Sequence, residues 1–319
     1  MIDIRTGWSR VVDFFFAAQS DNWLTVLRVG LAVQVLLYCV SMWSDWSYLL
    51  AGMGSGLIGR ELSEVVLSGK SLLIPRLGWL VTIGSHFGLS EAAVLDTARF
   101  CLVFAACSLL VGLFSRTAAI LAWLLHLALV KSAALLAYGM DDLTTIGLFY
   151  LMISPQPDRL SLDHILRKAT PKDPQFNGLL RRVLQIHLCI IYFFGGITKF
   201  VGTGWWNGDS LWRALTHPPF NVIAPEILVK WRDLFPVLGI SVWVIEIAYP
   251  VLIWSKRTRN VWLFLVIGMH LAIGMTMGMY LFALVMIVLN LAAFGPDWNF
   301  ARVRQTFGFL ESRKRPSLA

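Results

Sequence analysis

The chain has 319 residues, of which 57% are hydrophobic and 14% charged, and its formal net charge is +8. Soluble domains average about 45–50% apolar and about 25% charged residues, so this composition excludes a soluble globular fold. The basic residues lie in short stretches between apolar segments rather than on one amphipathic face. This distribution indicates membrane topology and argues against a nucleic-acid partner.

The N-terminal residues predict an amphipathic helix at the membrane surface. Residues 6–18 contain a short apolar run, and polar residues follow it without a signal-peptide cleavage site. We therefore assign residues 1–21 to an interfacial segment, residues 22–296 to one transmembrane domain and residues 297–319 to a basic cytoplasmic tail.

The apolar segments predict about eight transmembrane helices. A helix of roughly 20 residues spans the hydrocarbon core of a bilayer, and several stretches reach or approach this length. The predicted spans are Trp23–Trp43, Ala92–Phe114, 117–138, 140–154, 181–200, Leu234–Trp254, 259–276 and 279–294. The predicted fold class is therefore an all-α integral membrane protein.

Two of these divisions depend on helix length. As one helix, residues 117–154 would extend about 57 Å, nearly twice the roughly 30 Å thickness of the hydrocarbon core. The chain must therefore reverse, and Tyr138-Gly139 is the predicted turn. The same argument divides the last apolar stretch near Gly274–Gly278.

The orientation follows from the positive charges. Cytoplasmic loops of membrane proteins are enriched in Lys and Arg. Most basic residues fall on the inner side if both termini are cytoplasmic, including the final Arg313-Lys314-Arg315 cluster. We therefore expect both termini in the cytoplasm and the protein in the plasma (inner) membrane of a bacterium.

Two long outer segments, about 44–91 and 201–233, are rich in tryptophan. Tryptophans at this level usually anchor a protein at the membrane interface. The same segments would also be able to roof a cavity that opens outward. Short helices are predicted within them at Leu57–Leu67 and Ser210–Leu215.

Ionisable residues inside a membrane are energetically costly, so each is a candidate functional residue. A group of them converges in the outer half of the predicted spans. Its members are Arg99, Lys131, Asp141, Asp142, Lys199 and His270. These residues predict a polar site under the outer segments, and the alternative that they form only structural ion pairs stays open.

Further polar positions lie deeper in the predicted spans. Glu246, near the middle of the sixth span, needs a partner or a proton, whereas Arg28 is predicted to extend to the inner surface. Tyr192 and Lys199 are seven residues apart, so they share one face of their helix. Gly195-Gly196 would let another helix or a flat ligand approach the backbone closely.

One part of the sequence resembles a known family. The run from Leu184 to Lys199, Leu-Gln-Ile-His-Leu-Cys-Ile-Ile-Tyr-Phe-Phe-Gly-Gly-Ile-Thr-Lys, precedes Gly204-Trp-Trp-Asn-Gly-Asp-Ser-Leu-Trp212. Together with the Tyr138-Gly-Met-Asp-Asp-Leu143 and His270-x-x-Ile-Gly-Met motifs, it resembles the horizontally transferred transmembrane (HTTM) domain family. That family includes the vitamin K-dependent gamma-carboxylase, and the likeness covers about residues 22–296.

The resemblance implies a quinol-dependent membrane enzyme. In the carboxylase, a lysine at the end of a glycine-containing span acts as the base on a reduced quinone, and Lys199 matches that lysine. The implied cofactor is a vitamin K or menaquinol type of quinone, and the implied reaction is carboxylation, a lyase-type reaction, or oxidation of a peptide or small substrate. Where the carboxylase has a histidine near the start of a short span, this chain has Asp141-Asp142.

We assign roles to the candidate residues accordingly. The catalytic candidates are Lys199, Asp141, Asp142 and His270. The candidates for binding substrate or quinone are Arg99, Lys131, Tyr138, Tyr192, Trp205 and Trp206. The two acids would pair with the lysine, while Arg99 or His270 would stabilise developing negative charge. The expected partners are the lipid bilayer, the substrate and a redox partner protein.

A second hypothesis is a membrane transporter, or an accessory subunit that binds lipid or peptide without chemistry. Glu246 and His270 would then serve proton coupling, although the sequence has no evident inverted repeat. A thiol oxidoreductase is a further alternative. The four cysteines lie inside apolar segments and form no C-x-x-C pair, so neither a disulfide framework nor a metal site is predicted.

Overall fold

The computed structural model describes residues 4–52, 59–68, 73–167 and 173–295, with side chains from Trp8 onward, and regular structure in these ranges is helical throughout. The α-helices in chain order are α1 (Ile4–Phe16), α2 (Asn22–Ser41), α3 (Trp46–Leu50), α4 (Arg60–Ser68), α5 (Leu77–His86), α6 (Glu91–Val111), α7 (Ser115–Ser132), α8 (Gly139–Ile153), α9 (Leu162–Arg167), α10 (Pro174–Phe200), α11 (Thr203–Trp206), α12 (Asp209–Thr216), α13 (Pro225–Lys230), α14 (Phe235–Leu252), α15 (Arg259–Met277) and α16 (Tyr280–Phe294).

Each of the eight predicted spans contains one helix of this set. Within the described ranges, five helical segments are long and apolar enough to cross a bilayer: α2, α6, α10, α15 and Arg232–Leu252, which includes α14. The helix α16 is apolar but shorter. These features make the chain a multi-pass helical membrane protein.

Both predicted chain reversals are confirmed. Helix α7 ends at Ser132 and α8 begins at Gly139. The apolar stretch 117–154, which is too long for one transmembrane helix, is therefore divided at the predicted turn. Helix α15 ends before Gly278, whose φ of 71° is readily adopted only by glycine. This glycine ends the helix, and α16 begins only two residues later.

The close packing of α10 against α14 depends on glycine. A Cβ atom at Gly196 would lie 2.7 Å from Ile247 Cγ1 and 2.8 Å from Ile247 N, so a larger residue does not fit. The prediction that Gly195-Gly196 admits a neighbouring helix is therefore confirmed. Helix α16 packs on α2, α8, α10 and α15. It therefore joins α2 and α8, on one side of the bundle, to α10 and α15.

The prediction that Arg28 extends to the inner surface is wrong. Its side chain is only 1% exposed and is bound by Asp158, with 2.6 Å between Arg28 Nε and Asp158 Oδ2. The guanidinium also donates to the carbonyl oxygens of Leu109 (2.5 Å) and Leu110 (2.9 Å). A carboxylate in the segment after α8 thus lets the arginine stay buried and tie α2 to α6.

A second polar network, only partly buried, fixes the predicted outer segment that contains α4. Arg60 binds Glu64 at 3.1 Å and Glu91 at 2.7 Å. Glu64 Oε1 also accepts a hydrogen bond from Ser132 Oγ at 2.6 Å. The outer segment is therefore attached to α6 and α7 by polar contacts as well as by apolar packing.

The N-terminal helix and the two short helices lie close to their predicted positions. Helix α1 confirms helical structure over most of residues 6–18, and α12 matches the helix predicted at Ser210–Leu215. The other short helix, predicted at Leu57–Leu67, lies at Arg60–Ser68, and the start of the predicted range falls outside the described residues. The predicted tail at residues 297–319 also lies outside them.

Candidate functional site

Lys199 and Glu246 form an ion pair between α10 and α14. Lys199 Nζ lies 2.7 Å from Glu246 Oε2, and the side chains are 23% and 10% exposed. Lys199 Nζ also donates to the Gly195 carbonyl oxygen at 3.3 Å. The pair packs directly over Gly195, where a Cβ would be in ordinary van der Waals contact with both charged groups.

Aromatic side chains lie beside Lys199 at the C-terminal end of α10. Lys199 Nζ lies 5.4 Å from the ring centroid of Trp205, which is within cation–π range. Nearby, the ring of Trp243 packs against Phe200 at 5.1 Å and Trp206 at 4.8 Å between centroids. Trp243 Nε1 is buried and has no hydrogen-bond partner among the described residues. It is thus a donor available to a ligand.

A chain of uncharged polar groups lies deeper in the same half of the bundle. Tyr192 Oη lies 2.7 Å from His270 Nε2 and 2.8 Å from Asn290 Nδ2. Tyr249 Oη donates to Asn290 Oδ1 at 2.8 Å, and the two tyrosine rings lie 4.2 Å apart. None of the four side chains is more than 3% exposed. Helices α10, α14, α15 and α16 each contribute one member.

The acids predicted to pair with Lys199 lie elsewhere, and that pairing is corrected by the Lys199–Glu246 contact. Asp142 pairs with Lys131, with 3.6 Å between Nζ and Oδ1 and side chains 65% and 30% exposed, respectively. Asp141 is 4% exposed, and its Oδ2 accepts a hydrogen bond from the Tyr138 backbone N–H at 2.9 Å. Both acids therefore interact with residues around the α7–α8 turn.

A cavity of about 260 Å³ lies next to this turn. Its polar lining residues include Tyr38, Tyr138 and Asp141, and the remainder of its wall is mainly aliphatic. Phe282 stands between this region and the Tyr192 chain. Its ring packs edge-on against His270 with centroids 5.7 Å apart, and it also lies 3.7 Å from the position of a Cβ at Gly139.

Two predicted binding residues have mainly structural contacts. Arg99 pairs with Asp96 at 2.8 Å, and its guanidinium lies 4.3 Å from the ring centroid of Trp43. Trp206 Nε1 donates to the Phe200 carbonyl oxygen at 2.7 Å, within the aromatic cluster beside Lys199. Arg99 is therefore bound to the α2 and α6 region, whereas Trp206 packs against Phe200, the residue after Lys199.

Of the ten predicted site residues, the structure brings eight into direct contact as four pairs, one of which is the Tyr138–Asp141 hydrogen bond described above. Lys199 and Trp205 meet at the α10–α14 pair, and Tyr192 meets His270 in the deeper chain. Lys131 meets Asp142 at the α7–α8 turn. Sequence reasoning left Tyr249, Asn290 and Trp243 without any role, and it left Glu246 without its partner.

The helical architecture, the partly buried Lys–Glu pair and the buried Tyr192 chain define the class: a multi-pass membrane protein with a polar centre inside its helical bundle. The sequence model of the HTTM domain matches residues 89–298. The chain therefore belongs to the HTTM domain family. Searches of curated proteins and of solved structures each gave no significant match.

Proposed function

We propose that this protein is a quinol-dependent membrane enzyme in which Lys199 is the base and Glu246 receives its proton. The contact of 2.7 Å between the two groups is the observation that carries the proposal. Membership of the HTTM family supports it, and the sequence resemblance to the carboxylase implies that Lys199 corresponds to the catalytic lysine of that enzyme. The expected reaction is a carboxylase-like or oxidative modification of a peptide or small substrate.

The proposed topology has eight spans with both termini in the cytoplasm of a bacterial cell. The helices α7, α8 and α16 would complete the five that are long and apolar enough to cross. This orientation places Arg28 and Asp158 on the inner side, and it places Lys199 towards the outer side. The site would then accept substrate from outside the plasma membrane, with a redox partner protein restoring the quinol.

A base must hold an unprotonated nitrogen before it can accept a proton. Glu246 can generate the neutral amine of Lys199 directly. One proton moving from Nζ to Oε2 across the 2.7 Å contact leaves a neutral amine and a carboxylic acid. The Gly195 carbonyl oxygen accepts one N–H of Lys199 and orients the nitrogen. The pair can thus take up and return a proton without moving either helix.

The residues beside the pair fit a flat ligand with a carbonyl or hydroxyl oxygen. Trp205 presents aromatic surface 5.4 Å from Lys199 Nζ, and Trp243 Nε1 is a buried donor with no partner among the described residues. A reduced quinone, when bound, would supply the hydroxyl proton and the two electrons, with molecular oxygen as the acceptor. Trp243 would donate to its oxygen while Lys199 accepts its proton.

The test is a comparison of the wild type with Lys199→Ala and with the matched control Lys230→Ala, which removes an exposed lysine from α13. Lipids extracted from the wild-type protein should contain stoichiometric menaquinone or ubiquinone by mass spectrometry. In proteoliposomes supplied with menaquinol, Lys199→Ala should reduce oxygen consumption at least 100-fold, within the range expected for a lost general base, while Lys230→Ala should not.

Two results would count against this proposal. One is a folded wild-type protein that neither contains quinone nor binds added menaquinone. The other is unchanged oxygen consumption in Lys199→Ala. The competing hypothesis, a proton-coupled transporter, is favoured by the location of Glu246 and His270 in polar clusters inside the bundle, and it predicts proton-coupled flux in quinone-free proteoliposomes.

A further inference from the structure

Two arginines meet at Trp254, in the turn between α14 and α15. Arg182 Cζ lies 5.5 Å from the ring centroid of Trp254. Arg259 Nη2 donates to the Trp254 carbonyl oxygen at 3.1 Å. At 1.5 Å per residue, Arg182 lies about 25 Å along α10 from Lys199. This arginine pair, Arg182 and Arg259, is therefore separate from the site proposed for chemistry.

Each arginine keeps one nitrogen without a partner. Arg182 donates through Nε to the Phe14 carbonyl oxygen at 3.2 Å and through Nη1 to Gln185 Oε1 at 2.8 Å. Arg259 donates through Nε to the Ile253 carbonyl oxygen at 3.2 Å, in addition to its contact through Nη2. Arg182 Nη2 and Arg259 Nη1 have no hydrogen-bond partner among the described residues, and neither nitrogen is buried. Both nitrogens therefore reach the surface, where a ligand can accept hydrogen bonds from them.

The charges of the arginine pair are not balanced by an acid. Neither arginine forms an ion pair within the described part of the chain, and residues 247–295 contain no Asp or Glu. Asp13 in α1 is exposed and forms no ion pair with them. Lys256 and Arg257, in the same turn, are exposed and add to the positive charge. The two guanidinium groups are also close enough to repel each other. Because partly buried like charges are costly without a counterion, the region favours an anionic ligand.

The adjacent helix α1 points to a lipid as the source of the anion. Helix α1 packs on α10, and the ring centroid of Phe14 lies 4.7 Å from Arg182 Cζ. Trp8, Val11 and Val12 share one face of α1 and are 69%, 48% and 38% exposed. In a membrane protein, an amphipathic helix at the interface places such an apolar face among the acyl chains. A lipid beside α1 can thus contact this face while its headgroup reaches the arginine pair.

We infer that Arg182 and Arg259 bind the phosphate of an anionic phospholipid whose acyl chains pack along the exposed face of α1. Two phosphate oxygens would accept hydrogen bonds from Arg182 Nη2 and Arg259 Nη1, and such contacts are strong because both partners are charged. Lys256 and Arg257 would attract the same headgroup from the surface. A zwitterionic lipid has the phosphate but also a cation, which the basic side chains repel. The site therefore selects lipids of net negative charge.

The test measures lipid binding to the purified, delipidated full chain in detergent micelles. Titrations followed by native mass spectrometry give the affinities for phosphatidylglycerol, which is anionic, and for phosphatidylcholine with the same acyl chains, which is zwitterionic. The wild type should bind phosphatidylglycerol roughly tenfold more tightly, and Arg182→Gln and Arg259→Gln should each remove most of this preference, as expected for a lost hydrogen bond between charged groups. Neither variant should change the binding of phosphatidylcholine.

Two further variants separate this site from general electrostatics and from misfolding. Arg116→Gln removes the same charge from an exposed arginine at the start of α7, and it should leave both lipid affinities unchanged. The α1 double variant, Trp8→Ser with Val11→Ser, changes only exposed side chains, so it tests the inference even if an arginine variant does not fold. It should weaken phosphatidylglycerol binding severalfold, because apolar contact with the acyl chains is lost.

Inorganic phosphate supplies the same anion chemistry without acyl chains, and an excess of it should not displace phosphatidylglycerol from the wild type. The inference is overturned by equal affinity of the wild type for the two phospholipids, by a loss in Arg116→Gln equal to that in Arg182→Gln, by displacement with inorganic phosphate, or by unchanged binding in the α1 double variant. None of these results involves Lys199 or oxygen consumption, so the inference and the proposed function fail independently.

Discussion

The α10–α14 interface and the α7–α8 turn each hold a lysine paired with an acid, but the two pairs differ in distance and exposure. Lys199 and Glu246 lie 2.7 Å apart with side chains 23% and 10% exposed. Lys131 and Asp142 lie 3.6 Å apart, and their side chains are 30% and 65% exposed. The two lysines are similarly exposed, so the contrast lies in the contact distance and in the burial of the acid. A short pair with a buried acid is more strongly coupled than a longer pair whose acid is exposed, which contributes little to stability. The two lysine–carboxylate pairs are therefore expected to have different roles.

The largest expected effect on stability is at the Lys199–Glu246 pair. Glu246→Leu leaves Lys199 without its carboxylate and should lower the free energy of unfolding by about 3 kcal/mol. The double variant Lys199→Met with Glu246→Leu should recover most of this loss, because it leaves no unpaired charge. Reversible unfolding in mixed micelles measures both. A double variant less stable than either single variant would contradict the account.

An intermediate effect is expected in the uncharged chain next to that pair. Asn290→Leu keeps the branched shape and the number of heavy atoms of the side chain but leaves the hydroxyl of Tyr249, which is fully buried, without its acceptor. The expected loss is about 2 kcal/mol in the same unfolding assay. Adding Tyr249→Phe to the variant should restore part of the loss. No restoration would show that this hydrogen bond is not the cause.

The smallest effect is expected at the exposed pair. Asp142→Asn should change the free energy of unfolding by less than about 1 kcal/mol, since solvent screens this contact. The same unfolding assay at low and high salt checks the reason, because screening should remove any difference that remains. A loss as large as that of Glu246→Leu would abolish the contrast between the two regions.

The sequence predicts the helices of this protein better than the contacts between them. Each predicted span contains a helix because the length of an apolar run and the position of Gly278 are local properties. The partner of Lys199 depends on how α10 and α14 rotate against each other, which hydropathy does not determine. Counting acids at one membrane level therefore favoured Asp141 and Asp142 over Glu246, although Glu246 was recognised as needing a partner.

Other residues of the site gave weaker sequence signals. Asn290 in the middle of an apolar helix is a signal that sequence reasoning had available, because a polar side chain there needs a partner in a neighbouring helix. Trp243 gave no sequence signal, since tryptophans are common in membrane proteins. Arg28 was misjudged because its partner, Asp158, comes from a segment between helices whose burial no periodicity reveals.

The most direct test of the central claim is a double-mutant cycle on menaquinol-dependent oxygen consumption with Lys199→Ala, Glu246→Gln and the double variant. If the two residues handle one proton as a unit, each single variant should lose activity at least 100-fold, and the double variant should lose little more. If the losses multiply, or if Glu246→Gln retains wild-type activity, the two residues do not act as a pair and the account is contradicted.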